Sequence, residues 1–398
     1  MRITIIGNGG REHALQWKLA QHGHVAALTH ADMTHDGHDA ELIIVGPEAP
    51  LAEGIVDRLA QKGVRAFGPT QAAARLEASK AFAKAFMARH GIPTARFAIF
   101  DSYAPAERHL QRADYPVVIK ASGLAGGKGV IVPRDAAEAH AALRAIMREH
   151  AFGSAGDQVV IEERLEGPEV SLMAFCDGET VIPMLPAQDH KRAFDGDQGP
   201  NTGGMGAFCP SPLLTPGDID DCASRILQPA VRGMAREGAP YRGVLYAGLM
   251  LTKDGPKVLE FNCRFGDPEA QVVLPMLKTD LAEIANACID GRLGAQTVEW
   301  HAGACACIVL ASGGYPGAYR TGLPIQGLDR VPDDILIFHA GTRRDEGGWI
   351  TDGGRVLGVT ARGSTLRDAL ARAYAGVSHI HFAGMHYRRD IGARWLDT

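Results

Sequence analysis

Along the first 95 residues, short runs of apolar residues alternate with segments in which apolar residues have helical spacing. The short apolar runs ITII and LIIV are each followed by a glycine turn, GNGGR or GPEAP, and then by a segment with helical spacing. Such alternation predicts a parallel sheet, with ligands bound where the strands end and these two turns stand. Residues 70–91 predict one long amphipathic helix, with Gly91 as its C-cap. We therefore predict a parallel α/β domain over residues 1–95.

The spacing changes after residue 95. The strand YPVVIK, a glycine loop, the strand VVIEE and two apolar runs joined at Asp177-Gly178 predict a small lid over residues 118–187, within a domain of residues 96–300. The polar, glycine-rich residues 187–212 are interpreted as a long functional loop. Residues 301–398 alternate strands, turns and one helix, which predicts an α+β cap. The fold class is thus α/β and α+β multidomain.

Composition narrows the class of protein. A chain of 398 residues exceeds what one core usually supports, roughly 250–300 residues. No segment approaches the ~20 apolar residues of a membrane span. The seven scattered cysteines do not suggest a disulfide framework and favour a reducing, cytoplasmic location. A net charge of -5 provides no basic footprint for nucleic acid, although a small phosphorylated ligand is still allowed. We expect no nucleic-acid or membrane partner.

The run ASGLAGGKGV, residues 121–130, is typical of a loop that holds phosphate. It is not a Walker P-loop, because Ser122 replaces the first glycine and Gly129 stands where the magnesium-binding hydroxyl is needed. Lys120 precedes this loop and Lys128 lies in it, so both can reach phosphate oxygens, with Lys80 as a third candidate.

A second candidate is VLEFNCRFGDPEAQ, residues 258–271. Alternate side chains of a strand share a face, so Glu260, Asn262 and Arg264 are predicted to project together. A carboxylate and an amide oxygen suit magnesium, and a guanidinium suits phosphate.

These segments resemble the ATP-grasp enzymes and, within them, the glycinamide ribonucleotide synthetases. The resemblance runs almost end to end and rests on long motifs in order: IGNGGREHAL, VGPEAPL, SKAFAKAF, KASGLAGGKGV, VIEERL, DHKRAFDGDQGPNTGGMGA, GVLYAGLM, EFNCRFGDPEAQ, SGGYPGAYRTG, HAGT, GGRVLGVTA and RRDIGARWL.

The resemblance implies an ATP-grasp fold with an N-terminal parallel-sheet domain and a C-terminal α+β cap. It implies an ATP-dependent ligase that joins glycine to 5-phosphoribosylamine through glycyl phosphate, as a monomer, with ATP as co-substrate and Mg²⁺ or Mn²⁺ as cofactor. It also implies residue roles. Glu260 and Asn262 would hold the metal, and catalysis would involve Arg264, Asp267 and Lys128. The nucleotide would contact Lys80, Lys120, Gly126, Gly127, Lys128, Glu162, Glu163, Leu165 and Glu169. The substrates would contact Gly9, Gly10, Arg11, Glu48, Asp189, His190, Lys191, Arg192, Asn201, Thr202, Gly203, Gly204 and Met205.

The chain departs from the family between residues 25 and 41. The family usually carries a P-G-N-A-G-T type loop there, and about thirty residues are missing. Either the GNGGR and GPEAP turns suffice to hold the phosphoribosyl group, or affinity for the acceptor is weaker, or the acceptor amine differs. A further alternative is that the protein is a non-catalytic, nucleotide-binding regulator. The same region is rich in histidine and aspartate, but its spacing fits no zinc pattern and is explained by a solvated turn. These residues are His22, His24, His30, His35, His38, Asp32, Asp36 and Asp39.

Overall fold

The structure is a computed structural model that describes residues 1–29 and 40–396. It begins with a parallel sheet in the order β2-β1-β3-β4, as the apolar runs predicted. Its strands are β1 (Arg2–Ile6), β2 (Val25–Thr29), β3 (Leu42–Val45) and β4 (Ala66–Phe67). Helix α1 (Gly10–Ala20) follows β1, and α2 (Glu48–Ala52) and α3 (Ile55–Gln61) follow β3.

The prediction of one long helix over residues 70–91 is wrong. Two helices are present, α4 (Gln71–Ala78) and α5 (Lys80–Arg89), separated by Ser79 in an extended conformation. The Ser79 hydroxyl accepts a hydrogen bond from the Phe82 N–H, and the Lys80 N–H donates to the Ser122 carbonyl at 2.8 Å. The break therefore fixes Lys80 beside the glycine loop. The C-cap of α5 is His90 rather than the predicted Gly91, which follows it with a φ of +66°.

Two antiparallel sheets follow. The first has the order β5-β8-β6-β7 and consists of β5 (Phe97–Phe100), β6 (Val117–Ala121), β7 (Val130–Ile131) and β8 (Val159–Glu163), with helices α6 (Tyr103–Arg112) and α7 (Ala136–Met147). In the second, four strands take the order β10-β9-β15-β16: β9 (Glu169–Asp177), β10 (Val181–Pro183), β15 (Arg242–Thr252) and β16 (Gly255–Asn262). The range predicted for the lid, 118–187, is divided between these sheets, because β9 and β10 pair with β15 rather than with β8. Residues 164–168 connect the two.

Four helices flank β15 and β16 in the sequence, two before β15 and two after β16. They are α8 (Pro216–Cys222) and α9 (Gln228–Arg236), with a π-helical turn over Ala223–Leu227 between them, and α10 (Ala270–Met276) and α11 (Leu281–Asp290).

The last sheet has the order β11-β14-β17-β21-β18, all antiparallel. It consists of β11 (Gln188–Asp189), β14 (Gly206–Cys209), β17 (Ala304–Ala311), β18 (Leu336–His339) and β21 (Arg355–Gly363), and α12 (Leu366–Val377) packs on it. Two hairpins lie outside it, β12 (Arg192–Phe194) with β13 (Gln198–Asn201), and β19 (Thr342–Asp345) with β20 (Gly348–Thr351).

Residues 187–212, interpreted from the sequence as one long functional loop, contain the four short strands β11, β12, β13 and β14. Their apolar end, β14, pairs with β17 from Gly206 opposite Ile308 to Cys209 opposite Cys305. All seven cysteines are buried free thiols, and among the described residues no helix has the length and apolar character needed to span a bilayer.

Candidate active site

A buried ion-pair triad lies behind the predicted nucleotide site. Glu162 on β8 pairs through Oε1 with Lys120 Nζ on β6 and through Oε2 with Lys84 Nζ on α5, the latter at 2.5 Å. Each of these side chains is at most 5% exposed. Burial raises the pKa of Glu162, but Lys120 and Lys84 outweigh it and lower that pKa. Burial, with help from Lys120, lowers the pKa of Lys84 to about 8. Because Lys120 and Lys84 occupy both oxygens of the Glu162 carboxylate, the contact with adenosine predicted from the sequence could involve only the backbone of this residue.

The other predicted phosphate contacts lie around this triad. Lys80 Nζ donates to the Gly123 carbonyl at 3.3 Å, and Lys120 Nζ donates to the Leu259 carbonyl at 3.2 Å. The glycine loop is a hairpin between β6 and β7. At its exposed tip the Lys128 N–H bonds the Ala125 carbonyl at 3.0 Å, and Gly126 and Gly127 both have positive φ, +55° and +75°. That combination is a type I′ turn, which glycines accommodate without strain.

The residues predicted to hold adenosine flank the connection between the two sheets. Glu163 ends β8 and pairs with Arg96 at 3.1 Å, and Leu165 lies half-buried in the connection. Glu169 begins β9 and accepts a hydrogen bond from Lys191 Nζ at 2.8 Å. Lys191 thereby joins the 188–209 segment to the edge of the nucleotide site.

The predicted metal ligands lie near the end of β16. Burial raises the pKa of Glu260, but Lys191, Lys120 and Lys80 together lower it, so the carboxylate is ionised. Asn262 is the last residue of the strand. The prediction that Arg264 projects from the same strand face is wrong, since β16 ends before it. Arg264 nonetheless lies close by, with Nη2 3.4 Å from the Asn262 Oδ1.

Arg264 is held by two carboxylates, one predicted and one not. Its Nε pairs with Glu48 at 3.2 Å and its Nη2 with Glu77 at 3.0 Å. Glu77 is buried, and burial raises its pKa although Arg264 opposes that shift. The Cys263 N–H donates to Glu77 at 2.6 Å. Glu77 on α4 therefore orients the chain just after the metal ligands, a role that a helical glutamate does not signal in sequence.

An acidic cluster lies beside Lys191. Burial, with Glu269 and Glu169, raises the pKa of Asp189 to about 7, although Lys191 opposes the shift. Burial would lower the pKa of Lys191, but Asp189 and Glu169 raise it well above its usual range. Glu269, which the sequence did not single out, is buried and accepts a 2.7 Å hydrogen bond from the Tyr246 hydroxyl. A carboxyl that titrates near neutrality beside an ammonium group suits a proton-accepting role.

A cavity of about 300 Å³ opens where the first and last sheets meet. Gly9, Gly10 and Asp267, all predicted, line it together with Arg355 and with further residues that were not predicted: Asn8, Tyr315, Ala340, Gly341, Thr342 and Asp352. Arg355 pairs with Asp267 at 3.1 Å and donates to the Gly203 carbonyl at 2.7 Å. Burial raises the pKa of Asp267, but Arg355 and Arg11 lower it. The lining of the cavity thus includes the guanidinium of Arg355, which Asp267 holds in place, and the first residue of α1.

Arg11 turns away from this cavity. Its Nε donates to Glu12 at 2.6 Å and its Nη1 to the Phe265 carbonyl at 3.2 Å. Glu12, buried, also accepts the Gly9 N–H at 2.8 Å. A Cβ added to Gly46 would lie 2.1 Å from Glu12 Oε1, so this carboxylate fills the space between the GNGGR and GPEAP turns.

The remaining substrate candidates divide into two groups. The Thr202 hydroxyl donates to the Lys191 carbonyl at 2.8 Å and accepts the Gly204 N–H at 2.9 Å, which keeps residues 202–204 near the cavity. The structure does not bring the others to the cavity. His190 accepts a hydrogen bond from the Gly392 N–H, Met205 is fully buried, and Arg192 and Asn201 pair across the exposed hairpin.

The histidine-rich segment lies mostly outside the described residues, including His30, His35 and His38. His24 is described and pairs with Asp280 at 2.8 Å. Within residues 1–29 and 40–396, no group of three or more His, Cys, Asp or Glu side chains is arranged to hold a metal ion.

Comparison with known families matches the chain to three models in succession. They describe the N domain of phosphoribosylglycinamide synthetase over residues 30–77, its ATP-grasp (A) domain over 78–270, and its C domain over 305–394. The chain belongs to the phosphoribosylglycinamide synthetase family. This is the family of the predicted glycinamide ribonucleotide synthetases, so the resemblance is confirmed, and with it the ATP-grasp fold and the class of ATP-dependent ligase.

Individual relatives agree. Phosphoribosylamine--glycine ligase of Halalkalibacterium halodurans is 47% identical over 99% of this chain and 97% of its own length. The trifunctional purine biosynthetic protein adenosine-3 of Gallus gallus is 51% identical over 99% of the chain, but the chain spans only 42% of that protein. The alignment with the Synechocystis ligase, 47% identical and complete for both chains, runs over 424 residues against 398 here, which is consistent with the missing residues inferred from the sequence.

Solved structures support the same assignment. Phosphoribosylamine--glycine ligase of Thermotoga maritima is 35% identical, with a TM-score of 0.85 over 98% of this chain and all of that one. The biotin carboxylase domain of 2-oxoglutarate carboxylase from Hydrogenobacter thermophilus, 18% identical over 97% of this chain and 91% of that one, has a TM-score of 0.73 and shares the fold alone.

Proposed function

We propose that this chain joins glycine to 5-phosphoribosylamine at the expense of ATP, giving glycinamide ribonucleotide, ADP and phosphate. A carboxylate resists attack by an amine because oxide would have to leave. In the proposed reaction a glycine carboxylate oxygen attacks the γ-phosphorus and ADP leaves, which forms glycyl phosphate. The amine nitrogen then attacks the acyl carbon, phosphate departs, and the amine gives up a proton.

The attack of the glycine carboxylate on the γ-phosphorus requires that the phosphate charges be neutralised and that the reacting groups be aligned. Lys80 and Lys120 are fixed by backbone carbonyls at the phosphate side of the site, and Glu162 holds Lys120 in place. The loop that carries Lys128 has an exposed tip, and in this proposal it covers the phosphates and excludes water from the acyl phosphate.

The residues present suit a magnesium or manganese ion. Glu260 offers an ionised carboxylate and Asn262 an amide oxygen, both hard donors, and Mg²⁺ commonly takes one or two protein oxygens together with substrate phosphates. Glu260 and Asn262 would hold the ion, which would supply charge neutralisation of the phosphoryl oxygens. Arg264, fixed by Glu48 and Glu77, lies beside these ligands, with its Nη2 3.4 Å from the Asn262 Oδ1.

The acceptor is proposed to bind in the 300 Å³ cavity. Arg355 and the backbone N–H groups at the start of α1 supply cationic and donor groups for its phosphate. Glu12 braces the two turns that remain in this shortened chain, which allows them to act without the third loop. In this proposal Asp189, whose pKa burial raises to about 7, takes the proton from the attacking amine.

The observation that carries this proposal is the convergence of the Lys80, Lys120 and Glu260 group with the Asp189–Lys191 pair and the Arg355 cavity. The test is ADP release measured with glycine, with phosphoribosylamine, and with both. We expect release to require both, and the KM for phosphoribosylamine to rise about tenfold in Arg355→Met, the loss of one charged hydrogen bond. The exposed Arg236→Met variant should match wild type. Equal ADP release without either substrate contradicts the proposal.

We propose that the enzyme acts in the cytoplasm, a location supported by seven buried free thiols, and that it is a monomer.

A further inference from the structure

The end of the chain contacts the tip of the β12–β13 hairpin. His386 Nε2 lies 2.7 Å from the Ala193 carbonyl, the Gly196 N–H donates to Asp390 at 2.8 Å, and the Arg389 N–H donates to Asp195 at 2.8 Å. These bonds join residues almost 200 positions apart, and none of them is needed to complete the C-terminal sheet.

Arg388 is at the centre of this contact, with its side chain only 1% exposed. Its Nη1 donates to Asp197 Oδ1 at 2.7 Å and to the Arg192 carbonyl at 3.2 Å. Its Nε and Nη2 bind both oxygens of Asp390, each at 2.7 Å. The guanidinium therefore bridges the two segments with a bidentate pair on one side and two acceptors of the hairpin on the other.

A non-glycine residue at the tip of the hairpin has a left-handed backbone conformation. Asp197 has a φ of +54°, which is uncommon for a residue other than glycine, and its side chain is 73% exposed apart from the Arg388 contact. The hairpin residues are mostly exposed, so few apolar contacts fix their position. Arg388 is thus the main buried anchor of the tip.

The same hairpin reaches the candidate active site at its base. Lys191 precedes β12 and pairs with Glu169, while Gly203 follows β13, accepts from Arg355 and donates its N–H to the Tyr315 hydroxyl at 3.1 Å. The base of the hairpin thus carries Lys191, which lies beside Asp189, and Gly203, which is bonded to Arg355 and Tyr315 of the cavity lining.

We infer that Arg388 is a positioning residue, which clamps the hairpin tip so that its base forms the glycine and phosphoribosylamine side of the site. This inference rests on the proposed function. The clamp leaves independent of Arg388 the phosphate side of the nucleotide site, where Lys80 and Lys120 donate to the carbonyls of Gly123 and Leu259.

Steady-state kinetics of Arg388→Met test the inference. We expect the KM values for glycine and phosphoribosylamine to rise about tenfold, since small misplacements of binding groups are costly, while the KM for ATP and kcat stay within about twofold. Arg388→Lys, which cannot span both partners, should show the same split. A purely structural role would lower kcat through loss of active protein and leave every KM unchanged. Arg389→Met, a neighbouring exposed arginine, is the control.

Amide hydrogen exchange of residues 192–205 provides a readout that needs no turnover. Arg388→Met should speed exchange at least about tenfold there while leaving the core strand β17 protected. If Arg388→Met does not fold, Asp197→Asn removes the partner carboxylate without disturbing the core and should shift the same amides. Unchanged hairpin exchange, or unchanged KM values, overturns the inference. Wild-type protein without glycine-dependent turnover would instead refute the proposed function, and the exchange result would still decide the clamp.

Discussion

Replacing Glu162 by glutamine separates its role in the ion-pair triad from the adenosine contact predicted from sequence. The variant leaves two buried ammonium groups, Lys84 and Lys120, without their carboxylate. Removing one partner of a buried ion pair costs about 3–5 kcal/mol, because the remaining charge is desolvated and uncompensated. We expect the free energy of unfolding of Glu162→Gln to fall by about 3 kcal/mol at pH 7.

The dependence of this loss on pH is set by Lys84. Its pKa is about 8 in the folded protein, and without Glu162 burial should lower that pKa further. Below pH 8 the folded variant then binds fewer protons than the unfolded chain, so its stability rises with pH. The destabilisation relative to wild type should therefore grow as pH falls from 8 to 6, by at most about 1.4 kcal/mol per pH unit.

Urea unfolding of wild type and variant at pH 6, 7 and 8 measures both quantities. Glu163→Gln is the matched control, since the adjacent carboxylate makes a largely exposed pair with Arg96 and should cost under about 0.5 kcal/mol at every pH. A loss for Glu162→Gln below about 1 kcal/mol at pH 6, or a loss that does not change with pH, would refute the reasoning.

Two other predictions concern stability. Gly46→Ala places a Cβ 2.1 Å from Glu12 Oε1, so we expect it to lower the free energy of unfolding by about 2 kcal/mol and to weaken phosphoribosylamine binding. Gly217→Ala, whose Cβ has room, should be nearly neutral in thermal unfolding. Equal effects of the two substitutions would contradict this account of the packing around Glu12. Burial lowers the pKa of His190 and His339 to about 4, so each is neutral when folded, and stability should fall by roughly 1.5 kcal/mol per histidine between pH 6.5 and 5. His339→Gln should halve that fall in acid titrations of unfolding, and an unchanged fall would count against it.

The sequence predicted those parts of the molecule that depend on local spacing. Alternating apolar runs sufficed for the parallel sheet, and the family motifs named Lys80, Lys120 and Glu260, which the structure brings close together. The break at Ser79 escaped prediction because it depends on a bond between Lys80 and Ser122, which lie on different elements.

The missed site residues share the same cause. Lys84 and Glu77 resemble ordinary helical charges until β8 and Arg264 are placed against them. Arg355 acts beside Asp267, a residue 88 positions earlier in the chain. The polarity of residues 187–212 concealed β14, because its four apolar positions become a strand only when β17 lies beside them. Long-range pairing of this kind leaves no local periodicity.

The central claim, that glycine is activated by accepting the γ-phosphoryl group of ATP, is tested most directly by following the carboxylate oxygen. Turnover with glycine labelled with ¹⁸O in both carboxylate oxygens, unlabelled ATP and phosphoribosylamine should deliver one labelled oxygen to the released phosphate and keep the other in the amide product. Mass spectrometry of the phosphate measures this. Phosphate without label, at a yield of ribonucleotide equal to the ADP formed, would contradict the account.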